Sequence, residues 1–189
     1  MRSFRFPHRE LTVKVVPSKK ELQRFYETLT NLRDKTIMLM YATSGLRASE
    51  VLRLRLDEVD FNTRTIKPEK RNSRTKRTTW ISFFNRETAI VLKQYLHNRK
   101  MSSELLFPIS RRWLERIFQK SSQKSGIRIT PQKLREWFCT EMSLNGVNEA
   151  YIDVYCGRFP KSILGKHYLD YSYEKLKLIY ERANLKVLS

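Results

Sequence analysis

The sequence predicts a mainly helical domain with one small antiparallel β-sheet. Apolar residues recur at the three- and four-residue spacing of amphipathic helices over most of the 189 residues. Two segments, about Asp57–Ile66 with a turn at Asn62-Thr63 and about Thr78–Phe84, instead have the composition of strands. They flank residues 67–77, which contain six cations and one acid and are too polar to be buried. We therefore expect residues 67–77 to form the tip of a hairpin.

Capping signals place the first helices. Ser18 followed by Glu21 is a capping-box pattern at the start of the first helix. A second helix, about Leu32–Thr43, is apolar on nearly every side, which predicts a central position. It ends at Gly45, and a third helix starts near Arg47, where a guanidinium and backbone N–H groups could face one anion.

The second half of the chain is predicted to be helical throughout. Ser110 caps an amphipathic helix that Gly126 ends, and Thr130 caps the next, with Pro131 at its first position and Arg135 in its first turn. The other predicted helices are Asn85–Asn98, Asn148–Tyr155, Pro160–Tyr168 and Tyr173–Asn184.

The charge balance favours a polyanionic partner. Lys and Arg number 38 against 19 Asp and Glu, a net charge of +19, and nucleic acid is the usual partner of such an excess. The alternative is a solvated basic surface without a ligand. Hydrophobic residues at 40% exclude a disordered chain.

Several other classes of protein are disfavoured. No apolar run reaches the roughly 18 residues of a membrane helix, and the N-terminus lacks the apolar core of a signal peptide. We therefore expect a cytoplasmic protein with no membrane partner. Two cysteines, Cys139 and Cys156, are too few for a disulfide framework or a zinc site, and three scattered histidines argue against a metal centre.

One pairing of residues indicates chemistry. Arg158 stands ten residues before Tyr168 in a stretch of helical periodicity. A tyrosine hydroxyl, with a reference pKa of about 10, is a poor nucleophile unless cations neutralise the phosphate that it attacks. Arg47 in TSGLRASE and Arg135 in TPQKLREW are candidates for those cations. Taken alone, Arg47 would be interpreted as a surface arginine without a function.

Other tyrosines compete with Tyr168. Tyr155, Tyr171 and Tyr173 lie close by in sequence, and most tyrosines serve in core or interface packing. Tyr168 is the one that stands ten residues after Arg158 and within an HY pair.

Three segments, in this order, resemble the motifs of tyrosine recombinases, the superfamily of lambda integrase, Cre and the Xer proteins. TSGLRASEVLRLRLDEVDF is similar to the first arginine box, LREWFCTEMSLNGV to the second, and GRFPKSILGKHYLDYS to the third box with the nucleophile. The last is most like the form in archaeal fusellovirus-type integrases. The resemblance implies a recombinase catalytic domain at residues 18–189, preceded by a basic arm or linker at residues 1–17.

The resemblance also implies the roles of five residues. Tyr168 would attack the scissile phosphate and form a 3′-phosphotyrosyl link, while Arg47, Arg135 and Arg158 contact the phosphate. Lys76 of the hairpin would protonate the leaving 5′-oxygen, and no cofactor or metal would be needed. Lys67, Lys70 and Arg74 are alternatives for that lysine position.

Two features depart from the family pattern. Most relatives carry a histidine three residues before the second arginine, where this chain has Gln132 followed by Lys133. Glutamine is not a general base, so either residue is expected at most to assist as a hydrogen-bond donor to phosphate. In addition, only about 17 residues precede the catalytic region, where integrases usually carry a DNA-clamping domain. We expect a truncated protein or one with a catalytic domain only.

The implied function is site-specific recombination that integrates or excises viral or plasmid DNA, with a double-stranded attachment site as partner. A homotetramer on DNA and a monomer or weak oligomer in the free state are expected. The tail, about 173–189, could pack on its own domain or, as the resemblance favours, on a neighbouring protomer during assembly. The alternatives are a type IB topoisomerase and a non-catalytic DNA-binding protein.

The predicted DNA contacts are basic and belong to the hairpin tip or to the helix after Ser110: Lys70, Arg71, Arg74, Arg77, Arg111 and Arg112.

Overall fold

A computed structural model describes residues 15–69, 79–100, 102–158 and 162–189. The α-helices are, in chain order, α1 Lys19–Thr28, α2 Leu32–Ser44, α3 Ala48–Arg53, α4 Arg86–His97, α5 Arg111–Ser125, α6 Pro131–Leu144, α7 Glu149–Tyr155, α8 Ile163–His167 and α9 Tyr173–Ala183. The strands are β1 Val59–Asp60, β2 Thr65–Ile66 and β3 Ser82–Phe83. The predicted fold class, mainly helical with a small antiparallel sheet, is confirmed.

The central position predicted for the second helix is correct. Residues 36–44 of α2 are all buried, and α4 and α6 pack along it. Asn31 caps α2 at its start by accepting a hydrogen bond from the Arg33 amide. Gly45 ends it in the left-handed conformation, with φ of 66°. This ending turns the chain so that Arg47 becomes the N-cap of α3.

The other capping predictions are also confirmed. Ser18 and Glu21 form both hydrogen bonds of the capping box of α1. Ser110 and Thr130 cap α5 and α6 through their hydroxyl groups, and Pro131 occupies the first position of α6. Sequence-level capping rules therefore located these helix starts because each rule concerns only neighbouring residues.

The sheet differs from the prediction in one respect. The order is β1-β2-β3, all antiparallel, with Val59 opposite Ile66 and Ile66 opposite Ser82. The segment Asp57–Ile66, expected to contain one strand, is a short 3₁₀ turn followed by a tight β1–β2 hairpin, and the turn expected at Asn62-Thr63 lies between the two strands. The Asp60 carboxylate accepts hydrogen bonds from the amides of residues 62 and 63, which closes the turn.

Two other predicted segments are only partly described. The hairpin tip lies mostly in residues 70–78, outside the described residues, and the predicted strand Thr78–Phe84 is reduced to β3. The predicted helix Pro160–Tyr168 is seen as α8, with residues 159–161 also outside the described part.

The C-terminal helix packs on its own domain. The hydroxyl of Tyr180 in α9 donates to the carbonyl oxygen of Thr43 in α2 at 2.6 Å. The hydroxyl of Tyr155 donates to the carbonyl oxygen of Leu176 at 2.8 Å, and Leu176 is fully buried. In this single chain, the apolar face of the tail is covered in cis. No helix among the described residues is long and apolar enough to cross a membrane.

Candidate active site

Arg47 reaches across the domain from the start of α3. Its Nη2 donates to the carbonyl oxygen of Gly157 at 3.1 Å, and its Nη1 pairs with Oε1 of Glu50 at 3.2 Å. Oε2 of the same Glu50 accepts a hydrogen bond from the Arg47 amide at 2.7 Å. Glu50 thus holds both the backbone amide and the guanidinium of Arg47, while about a third of the arginine side chain stays exposed to solvent.

Arg135 lies at the beginning of the second turn of α6, one residue beyond the first turn where we expected it. Its Nη2 donates to the carbonyl oxygen of Cys156 at 2.7 Å, and its Nη1 donates to the carbonyl oxygen of Gly45. The residue is only 8% exposed. Burial lowers the pKa of its guanidinium, and the neighbouring charge of Arg47 acts in the same direction.

Arg158 follows α7 and is held by Asp153. Its amide donates to the Asp153 carbonyl oxygen at 2.8 Å, and its Nε pairs with Asp153 Oδ1 at 2.6 Å. Nη2 lies 3.6 Å from the Sγ atom of Cys139. Burial alone would lower the pKa of Arg158, but the negative charges of the cysteine pair and of Asp153 raise it overall.

The turn at residues 156–158 therefore brings the predicted arginines together. Arg135 binds the carbonyl oxygen of residue 156, Arg47 binds that of residue 157, and residue 158 is itself the third arginine. The mutual effect of their charges appears in the lowered pKa of Arg135, to which both Arg47 and Arg158 contribute. Such a cluster can hold the non-bridging oxygens of a phosphate.

Two glycines allow the segments around the arginine cluster to pack closely. Gly45 has φ of 66°, and a Cβ atom there would lie 2.5 Å from the Phe138 ring. Gly157 has φ of 59°, and a Cβ atom there would lie 2.5 Å from Thr79 Oγ1. Thr79 belongs to the stem of the long hairpin, and its amide donates to Glu50 Oε1 at 2.8 Å. The arginine cluster and the hairpin stem are thus in direct contact.

The two cysteines of the chain also belong to this cluster. Cys139 lies one turn after Arg135 in α6, and its Sγ atom is 3.5 Å from that of Cys156. The hydrogen bond from Cys156 is the main cause that lowers the pKa of Cys139, to about 6, and the nearby arginines contribute. Within this hydrogen-bonded pair the pKa of Cys156 is raised, and the residue is fully buried.

A groove of about 950 Å³ opens beside Arg47 and Arg135. It runs between α5 and the start of α6, and Arg111 and Gln132 line it. Of the two arginines predicted to bind DNA at the start of α5, only Arg111 lines this groove; Arg112 is exposed outside it. The groove also contains polar residues that the sequence did not single out: Gln119, Gln123 and Arg128.

The two accessory candidates lie apart from each other. Gln132 is exposed in the groove, where its amide donates to Glu136 Oε1 at 3.0 Å. Lys133 is not among the groove residues, and its charge acts on Glu21 in α1. Gln132 therefore lines the same groove as Arg47 and Arg135, whereas Lys133 does not.

Tyr168 stands apart from its rivals by exposure. It follows the last residue of α8 and is 75% exposed, whereas Tyr155 is fully buried. The hydroxyl of Tyr171 donates to the Gly165 carbonyl oxygen, and that of Tyr173 hydrogen-bonds Thr65 Oγ1 at 3.2 Å. Among the described residues, no hydrogen bond joins the Tyr168 side chain to the arginines. That Tyr168 attacks the phosphate which they contact therefore stays a prediction.

Most predicted hairpin cations lie outside the described residues: Lys70, Arg71, Arg74, Lys76 and Arg77. Lys67 is described, and its ammonium lies 5.3 Å from the centre of the Tyr173 ring. No group of three or more His, Cys, Asp or Glu residues that could hold a metal ion occurs in the described part of the chain.

The site also contains residues that the sequence analysis did not select. Glu50, Thr79, Cys156 and Gly157 hold the arginines or the hairpin stem in place. Only Glu50 had a local signal, since a glutamate three residues after an N-cap often returns to the cap amide. The other three act through contacts between segments distant in sequence.

A mainly helical domain that gathers arginines from three segments around one turn has the architecture of the DNA breaking and rejoining domains of tyrosine recombinases. The sequence profile of the Phage integrase family matches residues 16–175. The chain belongs to this family.

Its relatives include archaeal proteins. The chain is 28% identical over 181 residues to tyrosine recombinase XerA of Pyrococcus furiosus, covering 89% of this chain and 61% of the relative. It is 31% identical over 167 residues to XerA of Thermococcus onnurineus, with 82% and 57% covered. The chain thus spans about three fifths of the length of these curated relatives. The finer likeness to fusellovirus-type integrases stays a prediction.

Solved structures share the fold. A crystal structure of XerA recombinase matches with a TM-score of 0.67 and 24% identity over 96% of this chain and 68% of that one. The integrase of mycobacterium phage Brujita matches with a TM-score of 0.69 and 16% identity over 94% and 60%. Tn1549 transposon integrase, solved with circular intermediate DNA, matches with a TM-score of 0.63 and 16% identity over 92% and 68%.

Proposed function

We propose that this protein is a site-specific DNA recombinase that cleaves and rejoins DNA through a 3′-phosphotyrosyl intermediate. The observation that carries the proposal is the convergence of Arg47, Arg135 and Arg158 on one turn. Family membership and the XerA relatives support the same class of enzyme. The net charge of +19 supports a polyanionic substrate.

In the proposed cleavage step, the Tyr168 oxygen forms a bond to the scissile phosphorus, and the bond from phosphorus to the 5′-oxygen breaks. The phenolic proton leaves to solvent or to a nearby base, and the 5′-oxygen gains a proton. Arg47 and Arg135 hold the non-bridging oxygens and stabilise the charge that develops on them. Rejoining reverses the sequence, because a 5′-hydroxyl attacks the phosphotyrosine. The bond energy is kept in that link, so the step requires neither nucleotide nor metal.

Lys76 is the proposed proton donor to the 5′-oxygen, and Lys70, Lys67 and Arg74 are its alternatives. The tight packing of the hairpin stem against the arginine cluster, through Thr79, supports a donor from this hairpin. Lys67 is the weaker candidate, because its ammonium lies against the Tyr173 ring. With a 5′-thio substrate, sulfur leaves without protonation, so Lys76→Ala should be far less defective there than with ordinary DNA. Equal defects on both substrates would remove Lys76 from this role.

Double-stranded DNA is the proposed partner. The protein would bind it as a homotetramer at an attachment site of viral or plasmid origin. Tn1549 integrase, which shares the fold, was solved with DNA. The groove beside Arg47 contains Arg111, Arg128 and several glutamines, side chains suited to phosphates and base edges. Arg112 and the hairpin cations would add contacts to the DNA backbone.

The decisive experiment uses a pool of nicked duplexes of random sequence. A nick beside the cleaved bond lets the short 5′-hydroxyl fragment diffuse away, which traps the covalent complex for a denaturing gel. The DNA attached to the protein is then sequenced. We expect a covalent band with the unaltered protein and with the control Tyr171→Phe, and none with Tyr168→Phe.

The outcomes separate the alternatives. Enrichment of one sequence in the trapped DNA supports a recombinase, whereas covalent trapping without enrichment indicates a type IB topoisomerase. No covalent band despite salt-dependent binding to DNA would identify a non-catalytic DNA-binding protein and overturn the proposal.

A further inference from the structure

The cysteine pair lies against the arginine cluster yet has no part in the proposed chemistry. The Sγ atoms of Cys139 and Cys156 are 3.5 Å apart and both thiols are free. Arg158 Nη2 lies 3.6 Å from Cys139 Sγ, and Arg135 binds the backbone carbonyl of Cys156. Each cysteine is thus in contact with one of the proposed catalytic arginines.

We propose that Cys139 and Cys156 form a reversible oxidation site, at which peroxide joins them in a disulfide that displaces the turn at residues 156–158. Formation of the disulfide does not depend on the proposed function. Its expected consequence, slower DNA cleavage, rests on that function.

The geometry assigns a different role to each thiol. Cys139 is partly exposed beside the Arg158 guanidinium, so it is the sulfur that a small oxidant can reach and that a cation stabilises as thiolate. The lowered pKa of Cys139, about 6, agrees with this assignment. Cys156 is fully buried and hydrogen-bonded to Cys139, in the position of a resolving thiol.

The steps balance as follows. The Cys139 thiolate attacks one oxygen of hydrogen peroxide, which gives a sulfenic acid and releases hydroxide. The Cys156 sulfur then attacks the sulfenic sulfur, and the thiol proton leaves with the hydroxyl group as water. Two thiols are oxidised and one peroxide is reduced to the level of two waters. A dithiol reductant reverses the reaction by exchange.

In the proposed switch, the disulfide shifts the backbone that holds the arginines. The sulfur atoms have to approach from 3.5 Å to a bond length of about 2.05 Å. Cys139 is fixed within α6, whereas Cys156 caps the end of the short helix α7. The movement therefore falls mainly on the turn whose carbonyl oxygens bind Arg135 and Arg47. Misplacement of catalytic groups by about 1 Å can cost about 10²-fold in rate.

The test starts from the thiols themselves. The full chain is treated with hydrogen peroxide, free thiols are alkylated, and peptides are analysed by mass spectrometry. These two cysteines are all that the chain contains, so an intramolecular cross-link must join them. We expect this cross-link in monomers, and we expect dimedone to label Cys139 in the Cys156→Ser protein. Absence of the cross-link, or cross-linking only between chains, would overturn the proposal.

Cleavage of the nicked duplex pool then tests the consequence. Oxidised protein should be slower by about 10²-fold and should recover with dithiothreitol. Oxidised and reduced samples of Cys139→Ser should cleave at the same rate as each other. A disulfide that forms and leaves the rate unchanged would contradict the switch. If even reduced protein does not cleave, the proposed function fails, and hydrogen exchange at residues 156–158 still decides whether the disulfide displaces the turn.

Discussion

Gly157 packs directly on Thr79: a Cβ atom at Gly157 would lie 2.5 Å from Oγ1 of Thr79 and 2.8 Å from both its Cα and its amide nitrogen. Thr79 is the first described residue after the hairpin tip, and its amide is bound by Glu50, the partner of Arg47. The hairpin stem at Thr79 is therefore in direct packing contact with the turn that gathers the arginines.

The first prediction follows from this contact. Gly157→Ala should destabilise the fold, since a left-handed residue with a Cβ costs about 1–2 kcal/mol even without a clash. It should also slow cleavage beyond that loss, because relief of the clash must separate the hairpin stem from the turn. Gly126→Ala is the matched control, with φ of 74° and nothing within 4 Å of its Cβ. Thermal melts and single-turnover cleavage of both proteins, compared below their melting temperatures, provide the check. Equal effects of the two substitutions would show that only backbone strain matters.

The second prediction concerns the phosphate-binding arginines. Arg47→Ala should slow cleavage by about 10²–10³-fold, the usual effect of removing one charge-stabilising donor. DNA affinity should fall far less, because many of the other cations among the 38 can contact the backbone. Single-turnover cleavage and fluorescence anisotropy measure the two quantities separately. Arg182→Ala, which changes an exposed arginine of α9 outside the groove, is the control and should leave the cleavage rate nearly unchanged.

Arg135 requires a milder substitution. Its guanidinium binds the carbonyl oxygens of Gly45 and Cys156 inside the domain, so Arg135→Ala would leave two buried acceptors unpaired and could unfold the site. Arg135→Lys keeps the positive charge but not the bidentate hydrogen-bonding geometry of the guanidinium. We expect it to melt close to the unaltered protein and to cleave about 10²-fold more slowly. A proportional fall in affinity and rate in both arginine variants would mean that these residues only bind DNA.

Local signals in the sequence mark the helix starts near which Arg47 and Arg135 lie. Arg47 follows a glycine that ends α2, and Arg135 follows a Thr-Pro pair that starts α6. These rules involve only near neighbours, and the same is true of the capping of α1 and α5. The position of Arg158 beside them depends on α7 ending against α6, which no local pattern encodes.

The sheet was predictable only in part. The turn at Asn62-Thr63 has a local signal, and the Asp60 carboxylate closes it. Arg64 then adopts a positive φ of 54°. Non-glycine residues seldom take that conformation, so composition gave no indication of it. Similarly, the apolar stripe of α9 indicated that one face is buried but not on which surface. The partner surface, formed by α2, β3 and α7 of the same chain, is a property of the folded domain.

The third prediction is a pH dependence of the tail. The Glu87 carboxylate accepts hydrogen bonds from the amides of Val187, Leu188 and Ser189 at 2.7, 3.1 and 2.9 Å. Burial alone would raise the pKa of Glu87, but these amides and the Ser189 hydroxyl lower it overall. A lowered pKa in the folded state stabilises docking above the ordinary carboxyl pKa, and this contribution is lost as pH falls through the folded value.

Amide hydrogen exchange at residues 187–189 measures this docking. After correction for the intrinsic rate, protection should be constant near neutral pH and should fall below the ordinary glutamate pKa of about 4.3. Glu87→Gln should reduce protection already at neutral pH and should weaken the pH dependence. Glu174→Gln, at an exposed position of α9, is the control and should leave the profile intact. A profile unaffected by Glu87→Gln would show that apolar contacts alone hold the tail.

The last prediction asks whether Tyr168 acts on its own domain. Only residues 169–172 separate Tyr168 from α9, and α9 is held in cis by Tyr180 on Thr43. Tyr171 anchors the connecting segment, since its ring packs edge-on against Tyr151 at 5.6 Å. We therefore expect a mixture of Tyr168→Phe and Arg47→Ala proteins on one nicked substrate to stay inactive, because neither protomer has a complete site. Both proteins must bind DNA and assemble, which native gels with each alone would establish. Recovered covalent product would show instead that the tail moves to a neighbour and donates the tyrosine in trans. In that event, Glu87→Gln should increase the recovery by weakening the cis docking that opposes the exchange.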